Sequence, residues 1–456
     1  MLKKAAIAVG TFVLLVLLLI LGDRAIKQQD SREPKEAETP SAPPPIAASL
    51  PPPPPPSASA THEGLLYGRI TTVDGVVYEG RMRFGGDQEA SWGDYFNGTK
   101  KKNPWIMDLP PELAPKESKG FQIFGLKLGH DDGARDFDRL FMARLGDIVR
   151  IESHGGEVHV ILKSGTVFDL NRFEASDFDD GVRIWDVKQG PVDLDSLRVS
   201  TIELLATPKL PEAPARIYGT VHTRHGDFAG FLQWNRQKSL GSDTLDGHDG
   251  TNSITLRFDA LRSIEHRPGD KLAVTLVDGR ELALIDTGDG ALGTYVDDPR
   301  YGRVLISWEA IERIDLAAGG DGPTYGDFPK GQPLTGFVTL RDGNRLTGRL
   351  VYDLDESETT ETLDAPSQGV DFTIPFGLIA SIVAPGSEVS GGEPGRVKLH
   401  SGEELVFERA GDLGKSNNGL LVLVEGRKPA YLKWLDVARI DFDKPPAMWP
   451  SGKAVH

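Results

Sequence analysis

The sequence predicts an all-β protein of three tandem domains, each made of two small barrel-like units, behind an N-terminal transmembrane helix and a proline-rich linker. Two observations predict the β repeats: one apolar signature returns six times at fixed spacing, and turn glycines fall at matching places in each copy. A third, an uncharged run followed by a proline tract, predicts the anchor and linker.

Residues 1–4, with Lys3 and Lys4, read as a cytoplasmic end, since basic residues stay on the cytoplasmic side of a span. Residues 5–22 are uncharged and most apolar from Phe12 to Leu21, which suits a single-pass signal anchor in the cytoplasmic membrane. The exit Leu19-Ile20-Leu21-Gly22-Asp23-Arg24-Ala25 lacks a small-x-small cleavage pattern. The expectation is therefore an uncleaved anchor, with the bulk of the chain in the periplasm or outside the cell. Residues 23–62 include a six-proline run from Pro51 to Pro56 and read as a disordered, semi-rigid spacer of roughly 3 Å per residue.

The first β domain is expected over 63–206, with an insertion at 99–136, the second over 217–316 and the third over 334–442, leaving 443–456 as a tail. Each opens with a hairpin: Tyr67-Gly68 to Gly75 and Gly80, Tyr218-Gly219 to Gly226 and Gly230, Thr335-Gly336 to Gly343 and Gly348. A returning strand follows, with alternating apolar positions at Met82 and Phe84, Leu232 and Trp234, Leu350 and Tyr352. A closing block then holds a spacing of two, two, three and three: Phe141, Ala143, Leu145, Ile148, Ile151 in the first copy. Period two is a strand with one buried face, and the steps of three fit a tight turn before a last short strand. The second half of each domain restates the plan, closing at Val192 to Ile202, Val304 to Ile314 and Ala430 to Ile440. A propeller of six blades is the alternative architecture.

The formal charge is −16, and almost all of it lies in the repeats. Phosphate neutralisation wants a basic surface, so nucleic acid is not an expected partner. The chain has no cysteine, which excludes disulfides, thiolate catalysis and Cys-ligated zinc. No phosphate-binding glycine loop, nucleophile elbow, zinc-protease motif or EF-hand occurs, so no catalytic residue, metal or cofactor is assigned.

One polar position recurs in all three domains: Asp94, Asp243 and Glu361, each in an acidic-plus-apolar element. It reads either as a shared binding role or as a carboxylate accepting backbone N–H groups at a bend. The insertion supplies the other candidates, Lys100, Lys101, Lys102 and Trp105, because long loops on a rigid scaffold often carry function. Trp234, Trp308 and Trp434 read as core, and the turn Asp177, Asp179, Asp180, Gly181 as solvated surface rather than a calcium loop.

The unit of glycine-turn hairpin, variable middle, closing strand, tight turn and short strand resembles the five-stranded barrel of the Sm-like proteins across most of residues 65–442. That resemblance implies the barrel, but the family's RNA-pocket motifs are only faintly echoed at Trp234-Asn235 and are absent at Trp308-Glu309-Ala310, so it does not imply RNA binding. The stretch Tyr218 to Gly247 also resembles repeats of uncharacterised bacterial envelope proteins. The expectation is a non-enzymatic scaffold or binding protein of the envelope, partnered by the membrane through residues 5–22 and by an envelope protein or polymer. The alternative is an envelope glycan hydrolase or metal-dependent enzyme working through scattered carboxylates, whose paired acids would need to lie roughly 5–10 Å apart.

Overall fold

The computed structural model describes residues 62–106 and 139–446 apart from 86, 211–212, 251, 270, 287–291, 321 and 387–392, together with two short strands between 107 and 138. The expected anchor at 5–22, nearly all of the spacer and most of the insertion lie outside the described residues. Among the described residues no helix is long and apolar enough to cross a membrane.

The described residues are nearly all β, as the alternating pattern predicts, with one short α-helix at Ser176–Asp179. The first repeat forms β1 (Tyr67–Thr72), β2 (Val77–Phe84), β3 (Tyr95–Lys100), β4 (Gln122–Ile123), β5 (Leu126–Lys127), β6 (Arg139–Arg144), β7 (Ile148–His154), β8 (Glu157–Leu162), β9 (Val167–Asn171), β10 (Val182–Asp186), β11 (Gly190–Leu194) and β12 (Val199–Leu205). The second forms β13 (Tyr218–Thr223), β14 (Gly226–Trp234), β15 (Thr244–Asp249), β16 (Asn252–Arg257), β17 (Leu261–Arg267), β18 (Lys271–Leu276), β19 (Glu281–Asp286), β20 (Thr294–Asp298), β21 (Gly302–Ile306) and β22 (Ile311–Ala317). The third forms β23 (Thr335–Leu340), β24 (Arg345–Val351), β25 (Thr362–Ser367), β26 (Val370–Pro375), β27 (Ile379–Val383), β28 (Gly395–Leu399), β29 (Glu404–Phe407), β30 (Leu420–Leu423), β31 (Ala430–Leu432) and β32 (Val437–Phe442).

The first sheet runs β11-β10-β2-β1-β12-β7-β8-β9-β3-β6, and the second repeat has the same order read from its other end, β16-β15-β19-β18-β17-β22-β13-β14-β20-β21. Each of the first two repeats therefore consists of two five-strand arcs joined where β12 pairs with β7 and β22 with β17. The arcs are not the two halves that the sequence lays out in order. The opening hairpin β1–β2 pairs with β10 from the second half, while β8–β9 continue to β3 and β6 from the first. The halves have exchanged hairpins, which ties each of these two repeats together along its whole length.

The expected barrels are not closed: each of the three main sheets has open ends among the described residues, and no ladder links β11 to β12. What joins the ends of an arc is the chain itself, through one 3-10 turn, Leu145–Asp147 between β6 and β7 and Ser196–Arg198 between β11 and β12. Nor are there separate four-stranded blades, because the strands form sheets of ten, twelve and eight.

The three-three spacing has two distinct causes. From Leu145 to Ile148 the chain makes the 3-10 turn, whose three residues per turn return both side chains to one side. From Ile148 to Ile151 it crosses a β-bulge, where the register slips between Ile148 and Arg150. The extra residue keeps two apolar side chains three apart on the same face. The same slip recurs at Leu261/Ser263 and Ile379/Ser381, and opposite Val199, Ile311 and Val437.

Glycine pairs face each other across the opening hairpins: Gly68 with Gly80, Gly219 with Gly230, Gly336 with Gly348. A Cβ on Gly230 would sit 2.1 Å from the Asp297 carbonyl oxygen, and one on Gly219 2.3 Å from that of Asp315. The flanking strands cross the hairpin closely enough to exclude any side chain, which bends the arc.

In the third repeat β26 pairs with β21 of the second, so β26 and β25 extend that sheet to twelve strands. The second and third repeats share one core, with Phe372 against Phe228 at 5.9 Å and Tyr301 at 5.6 Å between ring centroids. The first repeat keeps its own core. One residue explains why only β21 gains such a neighbour. Arg303 pairs with Thr373, and ladder alternation from the Ser307 N–H bond to the Gly369 carbonyl points the Arg303 N–H at β26. The equivalent positions at the outer edges of the first and third repeats are Pro191 and Pro429, which have no N–H to offer.

Candidate functional site

Asp94, Asp243 and Glu361 do the same thing in each repeat. One carboxylate oxygen accepts two consecutive backbone N–H groups of the loop before β3, β15 or β25: Glu89 and Ala90 at 2.8 Å, Ser239 and Leu240 at 2.9 Å, Ser357 and Glu358 at 2.6 and 2.9 Å. The position recurs because a buried turn leaves donors that only an acceptor at this spot can satisfy. The partners of the other oxygen differ, so the three carboxylates do not share a pocket.

The second oxygen of Asp94 lies 3.4 Å from Arg303, which also bonds Asp297 at 3.1 Å and Gln233 at 3.3 Å. Arg216 meets Asp297 from the other side at 3.5 Å. Burial would push Arg303 down, but Asp297 and Asp94 hold its guanidinium above its ordinary value, so it stays cationic. Two arginines and two aspartates thus form a neutral joint between the first and second repeats. Gly93, at φ +95°, gives Asp297 its room, since a Cβ there would meet the Asp297 carboxylate at 1.7 Å.

Glu361 makes a second joint, between the first and third repeats. Its other oxygen accepts from the Trp105 indole N–H at 3.2 Å and lies 3.6 Å from Lys100 Nζ, which is 2.9 Å from Asp355. Asn103 donates to the Leu354 carbonyl at 2.7 Å and to Asp355 at 3.1 Å, while Arg139 reaches Asp353 at 3.3 Å. Ile106 is buried with Val351, Leu354 and Leu421, and the Arg349 guanidinium stacks 5.2 Å from the Trp105 ring. Lys100 is only 4% exposed at its side chain.

Three of the candidates, Lys100, Trp105 and Glu361, therefore meet, and they bind one another. Lys101 and Lys102 face outward, Lys101 paired with Glu157 and Lys102 3.7 Å from Asp169. Asp243 takes part in neither joint. Trp234 and Trp434 are buried and Trp308 is half-buried, 5.7 Å from Trp234. Asp177 is buried, accepting from Gln88 and Asn97, and among the described residues no cluster of His, Asp and Glu could hold a metal. Asn235 sits in a turn and accepts the Leu292 N–H at 3.1 Å.

Sequence reasoning missed Arg216, Asp297, Arg303 and Asp355. A signal existed for the first: Arg216 is buried at the position that Leu65, also buried, holds in the first repeat and that an exposed Pro333 holds in the third. A charge where the repeats are apolar marks a joint.

Burial pushes the Glu361 carboxyl up to about 7, against the pull of Lys100 and the Ser357 N–H. A group with a raised folded-state value contributes stability that is complete below its unfolded value of 4.5 and is lost as pH rises through about 7. Glu361→Gln is expected to remove up to about 3 kcal/mol of the difference in unfolding free energy between pH 5 and pH 8. Urea midpoints of both proteins at the two pH values check this, and an unchanged slope would contradict it.

No family model and no curated protein matches the chain. Among solved structures, a streptogramin B lyase structure covers 65% of this chain and 94% of its own at 9% identity, with a TM-score of 0.11. Likeness at that score carries no argument.

Proposed function

We propose that the chain is a membrane-anchored, extracytoplasmic scaffold or binding protein of the bacterial cell envelope, held by a span at residues 5–22 and a proline-rich spacer. The observation that carries this reading is the use of the repeated carboxylate. Asp94, Asp243 and Glu361 each spend one oxygen on two backbone N–H groups, so what recurs through the chain is architecture. Buried charge joints between repeats also favour a frame that keeps its shape when loaded. The five-strand arcs, with ends linked through a 3-10 turn, support an origin in Sm-like units.

The test is capture from crosslinked envelopes with the full chain as bait. A specific envelope protein or polymer, recovered in proportion to bait, is the expected result. Recovery no different from that of an unrelated anchored β protein would sink the proposal.

A further inference from the structure

The strongest unassigned feature is a groove that occupies one place in the first and second repeats, beside the 3-10 turn between the sixth and seventh strands of the first copy and its counterpart in the second. In the first repeat the groove is filled by the chain itself. The segment Tyr325–Phe328, from the linker between the second and third repeats, lies across it. The Phe328 ring rests on Gly146, where a Cβ would come within 2.5 Å of it. The Tyr325 hydroxyl donates to the Ile148 carbonyl at 2.8 Å, and Lys163 Nζ donates to the Tyr325 and Phe328 carbonyls at 2.6 and 3.3 Å. Lys163 also sits 3.7 Å from the Tyr325 ring centroid. Three positions thus seat a short aromatic segment, which is pre-shaped by Thr324 and Asp327 capping each other.

The same three positions in the second repeat are Asp259, Leu261 and Val277, and they line an open groove of about 610 Å³. Their equivalence follows from shared backbone bonds: Gly146 and Asp259 donate to Ser91 and Gly241, and Lys163 and Val277 donate to Asp147 and Ala260. The open groove is walled by Ile217, Tyr218, Phe258 and Leu316. Val277, in the place of Lys163, is 65% exposed. Cationic charge has moved to Arg262, which is exposed at the groove and makes no hydrogen bond or ion pair to another described residue. Asp259 is spoken for by Arg257, at 3.1 Å from its Nε. In the third repeat a smaller groove of about 230 Å³ is walled by Leu334, Thr335 and Phe376, the counterparts of Ile217, Tyr218 and Phe258, and by the following Lys444, Pro445 and Pro446, but the counterparts of the three seat positions do not line it.

We infer that the second-repeat groove docks a short peptide segment of a partner protein that presents an aromatic side chain beside a carboxylate. The aromatic covers Val277 and Leu261, and the carboxylate pairs with Arg262. The partner's chemistry follows from the segment seated in the first repeat and from the unpaired cation in the second. The inference rests on the reading of the chain as a binding protein and names what one of its surfaces takes.

The probe is a fluorescein-labelled peptide of residues 322–330, Gly-Pro-Thr-Tyr-Gly-Asp-Phe-Pro-Lys, titrated into the full chain by anisotropy. Saturable binding is expected, weakened about tenfold by Arg262→Glu. Weakening is also expected when the peptide's aspartate becomes asparagine. The double variant Asp259→Gly/Val277→Lys, which rebuilds the first-repeat seat at exposed positions, is expected to bind more tightly. No saturable binding to the parent or to the rebuilt variant, or binding indifferent to both sets of substitutions, would overturn the inference. Either outcome leaves envelope capture intact, because capture reads every surface of the chain.

Discussion

Lys100→Met is expected to lower the stability of the protein by about 3–5 kcal/mol, the effect of removing one partner from a buried ionic group. The methylene stem is kept, so the loss comes from charge. Lys100 Nζ is the cation that Asp355 and Glu361 share, and burial leaves those carboxylates little water to turn to. Although burial pushes the lysine down, Asp355 and Glu361 hold it well above its ordinary value, so it is charged throughout the range in which the protein would be studied. Glu361, pushed up to about 7 even with Lys100 beside it, is largely protonated at pH 6 and ionised at pH 8 in the parent, which places the expected loss toward 3 kcal/mol at pH 6 and toward 5 at pH 8. Urea unfolding followed by tryptophan fluorescence measures this directly, since Trp105 lies in the same joint. A loss under about 1 kcal/mol at pH 8 would mean the joint contributes no more than a surface pair.

Gly230→Ala is the second large effect, expected near 3 kcal/mol, at the upper end of overpacking costs. The new methyl would meet the Asp297 backbone carbonyl at 2.1 Å, and a ladder carbonyl cannot swing aside as a flexible side chain can. The β14–β20 pair would have to part, and β20 carries Asp297 of the first joint. Damage should therefore spread from the hairpin to the contact with the first repeat. Thermal unfolding tests it, with Gly156→Ala in a turn of the first repeat as a comparison, because Gly156 has no positive φ and a Cβ there meets nothing within 4 Å. Equal losses at the two sites would show that close approach is not what fixes glycine at position 230.

Much of the fold was legible because burial writes itself into spacing. Alternating apolar residues named one buried face of each strand, and turn glycines named the hairpins. Which strand lies beside which was not legible, because period two reports a face and not a neighbour. The exchange of hairpins between β1–β2 and β8–β9 leaves the alternation unchanged. The three-three step was seen as one tight turn, yet half of it is a bulge, a feature defined by a partner strand's register. Recurrence of Asp94, Asp243 and Glu361 was visible, and the bend role weighed for them is what their N–H bonds support. Lys100-Lys101-Lys102 read as one basic run, but strand alternation at the end of β3 splits it. Lys100 turns into the joint, while Lys101 and Lys102 stay outside with Glu157 and Asp169. The insertion was expected to carry a private binding surface. Its described part does bind something, and the partner is the third repeat.

The central claim is that buried charge joins the repeats into one frame, and native-state hydrogen exchange on the full chain tests it most directly. The segments 95–106 and 351–361 supply the two sides of the Lys100 joint. The account predicts that both open with the same free energy in the parent protein, and that both lose protection together in Lys100→Met while β7 to β9 keep theirs. Independent opening of the two segments in the parent, or loss confined to one side in the variant, would contradict it.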